Sequence, residues 1–373
     1  MRRRYRKLRR RKHKSLIRNT IIVMVVLTLG FATGYSAFST NITLNAKGNI
    51  KEKSRIIRSW TSDSVDDFHN SQYRENIVSA TFLDSTSLPS NVENSWDVSA
   101  DGKGGVIAYV MINEEDHTKY DLYIGAKNGV IANENSSYLF QDFTNVEKIE
   151  FNNNFDTKNV LYMSFMFRSC MNLISLDLSS FDTSNVISML YMFHRCKKLS
   201  FLDISSFNTS NVTNMQEMFA GGNKLTTLDL TNFNTSKVTN MQGMFTTWDN
   251  VTSSSQGNES IENIIFGEYF VTNKVTKMND MFSGQLYNTL DLSNFDTSKV
   301  TTMFHMFNGC RNLKTIYVNN SFITSSVTNS DGMFMNDTNL IGGNGTLYSS
   351  SYIDKEYARI DTASTPGYFT LKQ

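Results

Sequence analysis

Three cysteines and five histidines are all that this chain of 373 residues offers as soft metal ligands. Cys170, Cys196 and Cys310 form no Cys-x-x-Cys and no Cys/His spacing that would hold a metal. The histidines, at 13, 69, 117, 194 and 305, fall in no H-E-x-x-H arrangement. G-x-S-x-G, a phosphate-binding loop and a dinucleotide fingerprint are also missing. Asp97-x-Ser99-x-Asp101-Gly102 begins like a calcium loop, but Ala108 stands where a bidentate Glu is required, so it reads as a β-turn. No catalytic residue, cofactor or metal site is therefore expected. Positive charge is scarce in the body of the chain. Of 36 basic residues, eleven lie before residue 19, against 35 acids that all come later. The body is net acidic, which excludes a nucleic-acid partner and leaves targeting as the reading of the basic end.

One apolar stretch is long. Residues 20–38, including Ile21-Ile-Val-Met-Val-Val-Leu-Thr-Leu29, approach the ~20 residues that span a bilayer. The cations upstream (residues 1–18) place the N-terminus in the cytoplasm and everything after about residue 39 outside. Gly34, Ser36 and Ala37 resemble a cleavage site. The segment 19–38 is thus either an uncleaved signal-anchor or a signal peptide cut near Ala37. Residues 39–59 read as a polar linker. Residues 60–145 read as β: Val78, Ala80 and Phe82 alternate, as do Tyr120, Leu122 and Ile124, and Asn128-Gly129 signals a tight hairpin turn.

What the chain has in abundance is repetition. T-x-x-V-x-x-M-x-x-M-F occurs at 157–167, 183–193, 209–219, 235–245, 272–282, 297–307 and, with Ser330 for the first Met, 324–334. The Val residues are spaced 26, 26, 26, 37, 25 and 27 apart. Such a period predicts an α/β solenoid of the leucine-rich-repeat kind over 146–345, covered by a β-rich cap at 60–145 and a C-terminal cap at 346–373. Each copy opens with L-x-x-L-x-L-x-x-F, as in Leu173, Leu176, Leu178 and Phe181, which predicts a short strand. Val, Met, Met and Phe at offsets 0, 3, 6 and 7 predict a short helix, capped by the preceding Thr with help from Asp156, Asp182, Asn208, Asn234 and Asp296. The methionines are expected in the core. Residues 246–260 form an insertion that projects from the edge of the stack.

The phrase Leu176-Asp-Leu-Ser-Ser-Phe-Asp-Thr-Ser-Asn-Val186 and its copies, each followed by M-x-x-M-F, resemble bacterial surface leucine-rich-repeat proteins of the BspA type. Flanking motifs also match that family: Trp96-Asp-Val-Ser99, Tyr120-Asp-Leu-Tyr-Ile-Gly125 and Ser136-Ser-Tyr-Leu-Phe140 before the repeats. After them come Gly342-Gly-Asn-Gly-Thr346, Ala358-Arg-Ile-Asp361 and Pro366-Gly-Tyr-Phe-Thr370. The resemblance implies a cell-surface protein that adheres to a protein or glycan on a host or neighbouring surface. No family binding residue carries over onto a position here. With no Leu-Pro-x-Thr-Gly sorting signal before Gln373, attachment is expected to rest on residues 20–38, or the protein is released.

The cysteines each follow a repeat Phe by three residues and read as small buried residues at a turn. Cys170 and Cys196 stand one repeat apart, so a disulfide between them stays open. His194, directly after a repeat Phe, and His305, directly after Phe304, read as solvent-exposed turn positions. The candidate binding residues lie between the strand leucines: Asp177, Asp203, Asp229 and Asp291, flanked by Ser and Thr. Alternation points them outward, onto the concave face of a leucine-rich array, where three would follow at ~5 Å steps. Phe201 and Tyr317 share that face as apolar anchors. A basic partner or cation would answer the acids; a merely solvated face is the plainer reading. The function expected is non-enzymatic binding or adhesion, with a self-associating envelope or matrix component as the alternative. Residues 60–145 offer no paired nucleophile and base, and a cytoplasmic part of about 18 residues disfavours a signalling receptor. The ligand and the oligomeric state are left open.

Overall fold

The computed structural model describes residues 54–372, apart from 222–223, 250–253, 256–260 and 262, together with strands β1 (Ile42–Leu44) and β2 (Ile50–Glu52). The chain divides into two units, Met1–Lys53 and Ser54–Gln373. In the first, β1 and β2 pair antiparallel. The basic residues 1–18 and the apolar stretch 20–38 lie outside the described residues. Among the described residues, no helix is long and apolar enough to cross a membrane.

The second unit begins earlier than the composition suggested. Ile56 bridges Ile131 and Ile57 bridges Ser99, so residues 54–59, expected as linker, belong to the cap. After one turn of helix, α1 (Ser71–Arg74), come β3 (Ile77–Leu83), β4 (Asn94–Asp97), β5 (Ile107–Ile112) and β6 (Tyr120–Gly125). β4, β5 and β6 form an antiparallel meander, and β6 lies parallel to β3. The Asn128-Gly129 turn does form, with both residues at positive φ (63° and 83°). It makes no hairpin. β7 (Val130–Ile131) pairs parallel with β9 (Phe155–Asp156) rather than folding back on β6.

β3 also pairs parallel with β8 (Lys148–Glu150), which pairs with β10 (Ser175–Asp177), which pairs with β11 (Phe201–Asp203). Cap and first copies therefore share one seven-stranded sheet. β12 (Thr227–Leu230) is followed by a backbone hairpin within the insertion, β13 (Trp248–Asp249) and β14 (Ser254–Ser255). β12 pairs with β15 (Asn263–Phe266); β16 (Thr289–Leu292) pairs with β17 (Thr315–Val318) and β17 with β18 (Phe369–Leu371) of the C-terminal end. The result is strand-rich, with several short parallel sheets.

Among the described residues, the repeats contain none of the expected helices. At M-x-x-M-F the residue before the second Met has positive φ in every copy: Phe165, Tyr191, Glu217, Gly243, Asp280, His305 and Gly332, all between 50° and 62°. A left-handed residue there breaks any right-handed helix. Three-residue offsets instead mark successive turns, such as Met192 N–H to Met189 O (3.3 Å) and Cys196 N–H to Phe193 O (3.3 Å). The alternate N–H groups leave the copy altogether: those of Met189, Tyr191, Phe193 and Arg195 donate to the carbonyls of Asn214, Gln216, Met218 and Ala220. A helix would satisfy these groups within itself and leave none to join one copy to the next.

The conserved-looking Thr is likewise no helix cap. Thr183, fully buried, donates its hydroxyl to Asn208 O (3.0 Å) and accepts from Asn208 N–H (2.8 Å); Thr209 does the same with Asn234 (3.0 and 2.8 Å). Asp182 caps a turn, accepting from Ser184 N–H (2.9 Å). Successive copies touch by parallel bridges along Tyr162, Ser188, Asn214, Asn240, Lys277, Thr302 and Asn329. Between that side and the strands, Val, Met and Phe are buried as expected. Phe193, Phe219 and Phe245 stack at 5.5 and 6.0 Å between centroids. The C-terminal end closes the array: Ile353 O accepts from Phe334 N–H, and Asp361 accepts from the N–H groups of Asn344, Thr346 and Gly367.

Candidate binding face

The strand alternation decides which side chains face out. In β10, Leu176 is buried while Ser175 and Asp177 are exposed; β12 repeats this with Leu228 and Leu230 inward and Thr227 and Asp229 outward. β16 does the same around exposed Asp291. Asp203 in β11 is half-buried, and Phe201 beside it is 55% exposed. Phe201 is a large apolar side chain left in solvent, which makes it the strongest apolar feature of the face.

Each carboxylate also has a local duty. Asp177 accepts from Ser179 N–H (2.9 Å), Asp203 from the N–H and hydroxyl of Ser205 (2.9 and 2.6 Å), Asp229 from Thr231 N–H (2.9 Å) and Asp291 from Ser293 N–H (3.0 Å). This Asx-turn pattern closes the strand end and uses one carboxylate oxygen. Hydrogen bonds from Ser179 hold the Asp177 carboxyl below its ordinary range.

The acidic row is not evenly stepped. Asp177 and Asp203 are register partners, and Asp229 is the partner of Ile265, but β11 does not pair with β12, nor β15 with β16. Between β11 and β12 a cleft of about 270 Å³ opens, lined by Phe201, Asp203, Thr227, Asp229 and Asn232. Asn232 keeps the two copies together at one end, donating to Ile204 O (3.0 Å) and Phe207 O (2.9 Å). So Phe201, Asp203 and Asp229 share one cleft, Asp177 flanks it, and Asp291 and Tyr317 stand apart in the last sheet.

Asp291 and Tyr317 are register partners there, and a cation already occupies them. Lys372 donates its Nζ to Asp291 Oδ2 (2.7 Å) and lies 5.1 Å from the centre of the Tyr317 ring. Burial would raise the Asp291 carboxyl, but the bonds from Lys372 and Ser293 outweigh it and hold it low. The Asp291 carboxylate in turn raises the Lys372 ammonium. This geometry combines a charge-assisted hydrogen bond with a cation–π contact.

Elsewhere the side chains settle two readings, those of the cysteines and of Asp97. All three cysteines are free and buried, donating to carbonyls of the preceding copy: Cys170 to Phe140 O (3.2 Å), Cys196 to Phe167 O (3.2 Å), Cys310 to Phe282 O (3.1 Å). Burial pushes the Cys196 thiol up to about 12, so these are packing residues rather than nucleophiles. Asp97 ties its own turn, accepting from Ser99 and from Gly104 N–H (2.7 Å). Among the described residues, no group of three His, Cys, Asp or Glu is placed to hold a metal.

His194 corrects an expectation. It is 1% exposed, not a solvent-facing turn residue, and its Nε2 lies 3.5 Å from Oε2 of Glu217, itself 2% exposed. His305 is half-buried, 3.8 Å from Asp280. His194 and Glu217 border a second cavity on the turn side that none of the familiar site motifs marks. Its sequence signal was present: Tyr138, Phe165 and Tyr191 recur at one offset in successive copies.

Comparison with known proteins yields one finding. A family model described as "Mycoplasma protein of unknown function, DUF285" matches residues 134–258 and 250–351, more than half of the chain. No curated protein and no solved structure matches.

Proposed function

The chain belongs to the DUF285 family, and we propose that it is a non-enzymatic surface protein of the BspA-like, leucine-rich-repeat solenoid type. In this reading the strand face binds a protein or glycan on a host or neighbouring surface through basic groups of that partner. One observation carries the partner's chemistry: Lys372 seated between Asp291 and Tyr317. The chain there recognises its own lysine with an acid and an aromatic ring. Asp203, Asp229 and Phe201 present the same two components around the cleft between β11 and β12. Changing Asp177, Asp203 and Asp229 together to Asn keeps the turn-closing acceptor oxygen of each and removes the charge. Adhesion to immobilised matrix proteins and cell-wall glycans should fall about tenfold, as it should for the parent in high salt. Equal adhesion by the triple variant sinks the reading. Ordered homo-oligomers in the absence of any ligand would favour instead a self-associating envelope component.

Display follows from charge and hydropathy. The proposal places residues 1–18 in the cytoplasm and the repeats outside, held by residues 20–38 or released by cleavage near Ala37. Protease added to intact cells should digest the repeats. Protection until the cells are broken would overturn the placement, and a mature N-terminus at Phe38 would identify the released form.

A further inference from the structure

We propose that the turn side carries a second, independent site: a pocket for an acidic sugar, a pyranose that bears one carboxylate among its hydroxyls. The cavity has a volume of about 450 Å³ and sits between the loop at Ser62 and the first three repeat turns. That size suits a small ligand. Its floor is a ladder of rings. Tyr138, Phe165 and Tyr191 stack with centroids 5.0 and 5.1 Å apart and planes within 8°.

Those three aromatics occupy left-handed backbone, at φ of 66°, 60° and 57°. Bulky residues are costly there, and later copies place Gly243, Asp280, His305 and Gly332 at the same offset. The stacked run of Tyr and Phe rings at this offset belongs to the copies that border the cavity.

The polar groups set the ligand's chemistry. Arg168 lies with its guanidinium carbon 5.9 Å from the centre of the Phe165 ring. Its Nε is buried and meets no hydrogen-bond acceptor. A planar cation with unused donors beside aromatic rings suits a carboxylate. Glu217 limits the total charge. It accepts from the Tyr191 hydroxyl (2.7 Å) and stands beside His194, 3.5 Å away. Gln216 donates to the same Tyr191 oxygen (3.1 Å), so the phenol is fixed in place. A dianion such as phosphate would face the Glu217 carboxylate. A single carboxylate directed at Arg168 would not, while neutral hydroxyls would find Gln141, Ser62 and the Glu217 side of the wall. Gly243 makes this wall possible: a Cβ there would come within 2.8 Å of Glu217 Cγ.

The test is titration of the full protein with glucuronate or galacturonate, with glucose and inorganic phosphate as controls, followed by the shifts of the tyrosine signals in NMR spectra. The uronates should bind about tenfold more tightly than glucose or phosphate. Arg168→Gln should lose about tenfold in affinity, and Arg168→Lys, which keeps the charge and packing stem, should lose less. The Asp177/Asp203/Asp229 triple Asn variant should bind uronates like the parent, which separates this site from the strand face. Uronate affinity no greater than that of glucose, equal affinity for phosphate, or unchanged affinity in both Arg168 variants would each overturn the proposal.

Discussion

Phe219→Ala lowers the unfolding free energy by about 3–5 kcal/mol, the range for a buried Phe removed from a core that cannot collapse around the gap. Phe219 is 2% exposed and packs between the rings of Phe193 and Phe245. Neither neighbour moves inward freely, because its own backbone is hydrogen-bonded to the next copy: Phe193 N–H to Met218 O and Phe245 N–H to Met281 O. The cavity therefore persists and the lost contacts are not replaced. Lys198→Ala, at an exposed position in the neighbouring turn, should change stability by no more than about 0.5 kcal/mol. Denaturant midpoints for the two variants measure the contrast, and equal small shifts would contradict the stacking of one copy on the next.

The second large effect belongs to Asp337. It fills the turn position that Cys310 holds one copy earlier, and it is fully buried. Its Oδ1 accepts from Cys310 N–H (2.8 Å), while Oδ2 has no partner. Burial pushes its carboxyl up to about 8, against the smaller opposing effect of the Cys310 and Gly309 N–H groups. The folded chain therefore keeps this proton at pH values where the unfolded chain has lost it. Its contribution to stability is complete below about pH 4 and fades as the pH rises towards about 8. The loss by pH 7 is roughly 4 kcal/mol, at about 1.4 kcal/mol per pH unit. Asp337→Asn keeps an acceptor for Cys310 and carries no charge. The variant should gain on the parent steadily between about pH 4 and 8 and match it below about pH 4. A pH-independent difference in melting temperature would show that the carboxyl is ionised in the fold.

Much of this architecture was legible because burial leaves a direct trace in residue type. The pairs Leu176/Leu178 and Leu228/Leu230 marked strands, and the Val, Met and Phe columns marked the core. The helices were misread because spacing alone is ambiguous. Offsets of 0, 3, 6 and 7 satisfy a helical face, and they also satisfy consecutive turns whose third residue is left-handed. Gly243 and Gly332 at that residue were the available warning, obscured by Phe165, Tyr191 and Glu217 in the other copies. Thr183 and Thr209 look like helix caps because a cap and an inter-copy tie need the same hydroxyl, and only the partner differs. Asp177, Asp229 and Asp291 stand outward as the alternation implied, while Asp203 is half-buried. The break between β11 and β12 that gathers Phe201, Asp203 and Asp229 has no sequence signature, since it depends on how two copies splay. Gln216, with the residue type of a plain surface position, is tied to Tyr191 and Asn240, which only the folded neighbour reveals.

The ties on the turn side have a consequence for how such a chain changes over generations. Thr183 does for residue 208 what Thr209 does for residue 234, and these copies are each 26 residues long. A gene that gains or loses one whole interior copy brings equivalent donors and acceptors together at the new junction. A change of length within a turn is absorbed locally, as the spacings of 25, 27 and 37 residues show, whereas loss of the Thr, Met or Phe positions themselves removes ties and core together. Unequal recombination between similar copies thus favours proteins that differ by whole copies. The two ends are exempt from this exchange, because Asn135 and Ile353 supply bridges that no interior copy repeats. The number of copies is the property most open to inheritance in discrete steps.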